Sequence, residues 1–576
     1  MASQVFFNGK LLTTPQTASA VNDDAMVPVA NGVGNILTLV GTAAGGQPNT
    51  VLTFGDPASA QAALLSGDLY DAVSKVFAPS ALTGGPSTVQ IVRVGQSTPA
   101  TLTLYDTSAA AAITLTSDQY GVPANQTKIS IAAGSVTGLK VSVGWNGAVA
   151  TGDNIANPVL SVRYTGAAAS ATVAVSGASV VLSAPAGTVV ATLALATFVS
   201  VALLADAVSA VPGFAGVIQG SNATAPTVNS LDSAAATDCK TAAFVVTANR
   251  SAVIAFLNSA ACPFVQGAAA AGSNAALAPI SWTYLTGGTD PAVLTQDWTN
   301  ALAVLQTADT NWLALLTPNP AIWAAGDAHC QYMSTAGGRE RRMFTGPAVG
   351  TSLAAALALP IALNSDRSSV CWPGYWDYNS SGVLTLYPPY MLAAILAGMA
   401  AGVSPGTPLT NKPITVRGLE VQIARPAQTD QAIQAGLLVV EATRKGFLVT
   451  RSISTWLFNN AFDRVEISCG AALDFAAQTV RDAVDAVRGN ANGPRLLARA
   501  LSAAETALNL LAVPPPLGSG AIVGDANSPA WQGLRGTISG DVVTLSFQCS
   551  PVIPANFVLV AIACVPYSGS ASVSNV

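Results

Sequence analysis

Charge is what this sequence has least of. Only 9% of its 576 residues are Asp, Glu, Lys or Arg, against roughly 25% in ordinary soluble proteins. A monomer with so few charges is poorly solvated. The composition therefore points to a chain that hides much of its surface against neighbours, as in an obligate assembly. The net charge of −5 is small for this length, which argues against a nucleic-acid binder held by phosphate contacts. Histidine is almost missing. His329 is the single one, so any Ser–His or Cys–His nucleophile has to use it. The seven cysteines, at 239, 262, 330, 371, 469, 549 and 564, form no CxxC pair. That weakens zinc and redox-motif readings. Buried free thiols are the expectation, and intermolecular disulfides stay open for a particle that works outside a cell. The start, MASQVFFNGKLL, has no basic stretch followed by an apolar core, so no secretory leader is expected.

One long apolar run is present, Thr188–Ala205. It meets the length rule for a membrane span. Thr188, Thr192, Thr197 and Ser200 punctuate it, Asp206 closes it, and no Lys or Arg flanks it. Without those anchors it reads as a soluble strand followed by a helix over Ala202–Val211, and no membrane insertion is expected.

The chemical motifs are equally thin. The turn Gly41–Gly46 follows a β-branched run, Ile36 to Val40, as a phosphate loop would. Gln47 and Pro48 come next, so the Lys is missing and a backbone N–H is lost. A bend is expected there, not a nucleotide cradle. Asp327 precedes His329 by two and Cys330 follows it, but GDAHCQ has no nucleophile-elbow pattern. On an extended chain His329 and Cys330 would point apart. Asp23, Asp24 and Asp290 sit near loops without EF-hand spacing. The sequence thus offers no catalytic residue, no cofactor-binding set and no metal-ligating set. The densest basic run is Arg339, Arg341 and Arg342, with Glu340 inside it. An interface ion-pair cluster or a solvated turn explains it better than a nucleic-acid patch. Arg481, Asp482, Asp485 and Arg488 form an ion-pairing outer face or a charged seam against a partner.

Six segments follow from texture. Residues 1–20 are a polar linking arm with a β-prone patch at Val5–Phe7; Asn8-Gly9 suits a tight turn, though its flanks are too short to hold a hairpin alone. Residues 21–100 begin an α/β core in strand, turn, helix, strand order, with a parallel sheet expected. Residues 101–222 alternate strongly and read as an inserted all-β, sandwich-like domain. Residues 223–411 return to the α/β core, with a strand at Ala242–Thr247, a helix at Asp297–Ala308, a strand at Trp312–Leu316 and a small-residue helix at Pro389–Ala401. Residues 412–566 read as an α+β domain. It has a strand pair around Arg444-Lys445-Gly446, two helices over Leu473–Arg488 and Arg495–Leu511, and final strands at Asp541–Cys549 and Phe557–Val565. Residues 567–576 are a second polar arm.

Several stretches resemble one family. Leu285–Leu316, with its Gly287-Gly288-Thr289-Asp290 turn, helix and buried strand, resembles the hallmark of contractile phage tail sheath proteins, which are related to pyocin and type VI secretion sheaths. Asp118–Ile131 is similar to the entry into that family's protruding domain. Leu437–Trp456 and Cys549–Val565 resemble its late hairpin and final strands. These matches occur in the family's order along nearly the whole chain. The resemblance implies a mechanical protein rather than an enzyme. Its subunits stack as six-membered rings around a tail tube in the virion. The C-terminal domain faces the tube and the inserted domain faces outward. The partners implied are neighbouring sheath subunits joined through both terminal arms, the tail tube protein, and the baseplate and tail terminator proteins, with assembly in the host cytoplasm. A capsid-type shell protein, or a secreted hydrolase or adhesin, are the alternatives on composition alone.

Overall fold

The computed structural model describes residues 5–7, 10–12, 36–270, 274–491, 493–515, 517–564 and 569. Most of the 1–20 arm and nearly all of the 567–576 arm, as well as Asn8-Gly9, lie outside the described residues. The described part of the first arm is two short strands, Val5–Phe7 and Lys10–Leu12, which pair antiparallel with each other.

The architecture is mixed α/β with several sheets. Its centre is an eight-stranded sheet built from β1 (Ile36–Gly41), β2 (Val51–Phe54), β3 (Thr88–Arg93), β4 (Trp312–Leu315), β5 (Arg342–Thr345), β6 (Ser368–Trp372), β7 (Leu437–Thr443) and β8 (Gly446–Val449). The order is β8-β7-β6-β5-β4-β1-β3-β2. The six inner strands are parallel, and β2 and β8 close the edges antiparallel. Continuous apolar runs such as LTLV in β1 make this possible, because a parallel strand is buried on both faces. On one face lie α1 (Pro57–Leu64), α2 (Asp68–Val76) and α4 (Pro389–Gly402), with α3 (Pro320–Thr335) on the other. The small residues of α4 let it come close: a Cβ at Gly398 would stand 2.8 Å from the Val76 carbonyl of α2.

The β-rich insertion differs from expectation in two ways. First, the excursion from the central sheet does not end at 222. Strands Ala234–Asp238, Phe244–Thr247, Val265–Ala269 and Ile280–Tyr284 pair with strands of the insertion. The chain rejoins the central sheet only at β4. Second, there are two nested units. One core gathers residues between Ala100 and Val143 with others between Val253 and Leu285. The other is formed within Val159–Ala248. Each packs two antiparallel sheets and one helix around its own core. Alternation along the chain reports that a strand has a buried face. It cannot report which core that face belongs to.

The C-terminal part is also regrouped. The strand pair at 437–449, expected in a separate domain starting at 412, completes the edge of the central sheet as β7 and β8. Beyond it stand α5 (Ile467–Asp485), α6 (Pro494–Ala512) and the hairpin β9 (Trp531–Ser539) with β10 (Val542–Cys549). These share a small apolar core. The expected last strand, Phe557–Val565, is not one over its described part: Phe557–Cys564 has no regular structure and, among the described residues, no strand partner. Among the described residues no helix is long and apolar enough to cross a membrane. The 188–205 run divides into a strand, Val189–Ala194, and a helix, Val201–Ser209.

Candidate assembly site

The glycine turn is consumed by the fold. The N–H groups of Ala44 and Gly45 donate to the carbonyls of Ser66 and Leu64 at 2.9 and 2.8 Å. The Gly46 carbonyl accepts from Arg93 Nη1 at 2.8 Å. A Cβ at Gly45 would meet the Ala63 carbonyl at 2.5 Å, so the glycine serves close packing of the turn on α1. An anion cradle needs outward-facing N–H groups, and these two are taken.

His329 is not on extended chain. It lies inside α3, with its ring buried. Arg341 Nη1 donates to its Nε2 at 2.9 Å. Burial, then the neighbouring Arg341 cation, push the imidazole down to about 4. It is therefore neutral near pH 7 and acts as an acceptor. Cys330 beside it is fully enclosed, and burial raises its thiol to about 12, so the reactive thiolate is suppressed. Asp327 receives the Ser368 hydroxyl and the Gln331 amide. Among the described residues no group of three or more His, Cys, Asp or Glu is placed to hold a metal.

Of the basic run Arg341 and Arg342 face inward, while Arg339 is partly exposed and pairs with exposed Asp309 at 3.3 Å. Arg341 donates to the carbonyls of Leu305 and Ala308. Arg342 pairs with Asp474 of α5 at 2.7 Å, and Arg367 pairs with the same carboxylate at 2.7 Å. Glu340 is bound by Arg481, also of α5. So the run is an ion-pair cluster, and the interface it holds is internal: it joins the central sheet to the C-terminal helices. Arg481 belongs to that joint, while Arg488 pairs with Asp485 on the open face. Spacing alone showed the charges; the acceptors of Arg342, Asp474 and the Asp366 carbonyl at 2.6 Å, came from tertiary contact.

Asp290 has a comparable role. Its Oδ1 accepts from Arg93 Nη2 at 2.7 Å and Ser97 Oγ at 2.6 Å. Its Oδ2 accepts from the Val122 N–H at 2.8 Å. A Cβ at Gly121 would stand only 2.2 Å from Oδ1, so that glycine makes room for the carboxylate. Burial pushes Asp290 up, but Ser97, Val122 and Arg93 together outweigh it and hold it below its ordinary value. This residue clasps the end of β3 to both limbs of the insertion. Asp290→Asn should cost about 1–2 kcal/mol, the scale of charge-assisted hydrogen bonds. The loss should show as faster amide exchange at residues 95–98 and 286–291, with α5 unchanged.

Two features face outward and lack partners of their own kind. The first is a groove of about 590 Å³ beside β10, floored by Val480, Val484, Leu496, Val543, Leu545 and Phe547 and rimmed by Arg481, Asp485, Arg488 and Asp541. β9 sits over α6, as Gly536 shows by its closeness to Leu497 and Leu501. Among the described residues β10 pairs with no strand but β9. The groove borders β10 and α5. The second is the segment Phe557–Cys564, which contains no charged residue. Phe557 is 79% and Leu559 94% exposed. An apolar slot beside an open strand edge and an exposed apolar segment both favour association by strand addition.

No family model matches the chain. It is 26% identical over 586 residues to the tail sheath protein of Bacillus phage SP01, covering 98% of each chain. It is 25% identical over 503 residues to the putative tail sheath protein of Enterococcus phage phiEF24C, covering 83% of this chain and 85% of that one. Among solved structures, the sheath tail protein Lin1278 from Listeria innocua superposes with a TM-score of 0.56 at 15% identity, over 92% of this chain and 95% of that one; at that identity the likeness is one of fold. Over nearly its whole length the chain is similar to phage tail sheath proteins. This favours the sheath over a capsid-type shell protein or a secreted hydrolase or adhesin.

Proposed function

We propose that this chain polymerises as stacked six-membered rings around a rigid tail tube, and that its arms lend strands to neighbouring copies. The observation that carries the reading is the pairing of the apolar groove beside β10 with the uncharged, exposed segment Phe557–Cys564. Strand addition supplies main-chain hydrogen bonds without demanding a particular side-chain set. It also keeps subunits connected while they rotate and slide. The extended lattice then stores energy during assembly and contraction releases it, with no nucleotide or enzymatic step. In this reading the tube meets the C-terminal helices and hairpin. The nested insertion units face outward, and the lattice ends meet baseplate and terminator proteins. Assembly takes place in the host cytoplasm, without nucleic-acid binding or membrane insertion.

Deleting Met1–Ala20 should leave folded subunits that no longer polymerise, and so should deleting residues 557–576. Negative-stain micrographs with circular dichroism check both. Normal tubes from either truncation would refute the arm model.

A further inference from the structure

We propose that Asn556 is a latch: it holds the root of the C-terminal arm so that the arm points away from its own subunit's strand slot and is lent to another copy. This rests on the strand-lending reading above.

The chain is fastened up to Asn556 and loose after it. Before it, the Val523 N–H donates to the Ser550 carbonyl at 2.9 Å, and the Ser550 N–H to the Ala530 carbonyl at 2.9 Å. The Val552 N–H reaches the Ala521 carbonyl at 3.2 Å. At Asn556 the side-chain Nδ2 donates to Glu466 Oε1 at 2.8 Å. Glu466 is wholly buried at the start of α5 and is paired with Arg451 Nη2 at 2.7 Å. Among the described residues, Phe557 to Cys564 make no hydrogen bond to the body, and the large apolar side chains stand in solvent. Asn556 is therefore the last fixed point before the free arm.

Without that fixed point the arm has a competing home. The slot begins at Ala477 of α5, eleven residues along from Glu466, which at helical rise is about 17 Å. Eight extended residues, Phe557 to Cys564, span up to about 26 Å. These eight residues therefore reach the near end of their own slot with about 9 Å to spare, and the twenty residues from Phe557 to Val576, up to about 66 Å extended, are long enough to lie along it. Such closure is intramolecular, so it would outcompete a second copy by effective concentration. Something must bias the arm outward, and the Asn556–Glu466–Arg451 contact is the polar tie positioned to do so. The tie is also weak by construction. Glu466 Oε2 and Asn556 Oδ1 are both buried and without a hydrogen-bond partner, which leaves desolvation uncompensated on both sides. A latch of that kind sets direction during assembly without locking the arm.

The test compares the full-length wild type, Asn556→Asp, Asn556→Ala and the 557–576 deletion. Sedimentation reads polymer, and limited proteolysis reads whether 557–564 is protected in the monomer. Asn556→Asp sets a second carboxylate against buried Glu466. It should cut the polymer fraction at least tenfold while protecting the arm of the remaining monomer. Asn556→Ala should act in the same direction more weakly, and adding Glu466→Gln to Asn556→Asp should restore polymer. If both Asn556 variants polymerise as the wild type does while the deletion does not, the latch is wrong and strand lending stands. Loss of polymer with the arm still open to protease would equally overturn self-docking. Normal polymer from the deletion would remove strand lending itself, and the latch with it.

Discussion

Asp474→Ala is expected to destabilise the joint between the central sheet and the C-terminal helices by about 3–5 kcal/mol, the usual cost of stripping one partner from a buried ion pair. Two guanidiniums depend on this one carboxylate. Arg342 Nε lies 2.7 Å from Oδ2, and Arg367 Nη1 lies 2.7 Å from both oxygens. Arg342 is buried, so it cannot turn to water when its partner goes. Burial works against the charge of Arg367, yet Asp474 outweighs it and holds the guanidinium above its ordinary value. The backbone has been shaped around the pair as well: a Cβ at Gly470 would lie 2.2 Å from Arg342 Nη2. Hydrogen exchange should show α5 and α6 losing protection while β1 and β3 keep theirs. Unchanged protection in α5 would mean that apolar packing alone holds the joint. Arg481→Ala should cost less, because Arg481 is nearly half exposed and exposed charges are screened.

The second large effect is acid lability centred on the single histidine. Its native pKa is depressed to about 4 from an ordinary 6.5. As pH falls below 6.5 the unfolded chain takes up a proton that the native chain refuses. The stabilisation is complete above 6.5 and is lost as pH falls toward 4. Between pH 7 and 4.5 that amounts to about 2 kcal/mol at one site. The charge, once taken on, would face Arg341 Nη1 at 2.9 Å. His329→Gln keeps an acceptor for Arg341 and does not titrate. Denaturant midpoints of wild type and variant should therefore diverge between pH 7 and 4.5, the wild type losing more. Parallel curves would place the acid sensitivity elsewhere.

Much of the secondary structure was readable from local pattern. The runs at Ile36–Gly41 and Leu437–Thr443, the small-residue helix at 389–402 and the two late helices all form close to where periodicity puts them. Each is a case in which the residues carry their own signal, β-branched continuity or a 3.6-residue stripe. The helix that holds His329 does carry a stripe, Ile322, Trp323, Gly326, Cys330 and Met333, but Asp327 and His329 lie on the same buried face and dilute it. Its polar members are satisfied by Ser368, Gln331 and Arg341 rather than by water. A window on the sequence sees those residues as loop-like, because Ser368 and Arg341 lie on other elements.

What the sequence determined by itself was the kind of protein. Scarce charge points to a chain that buries surface against others, and the ordered motifs carry the resemblance to tail sheath proteins. What only the tertiary structure decided was which strands share a sheet, where the insertion closes and what the charges do. Sheet partners in this chain lie up to hundreds of residues apart, as with β1 and β4, so no local window contains both. The inward turn of Arg341 and Arg342 is a fact of the same kind, since a charge is buried only where its counter-ion and acceptors converge on it, and those come from Leu305, His329, Asp366 and Asp474.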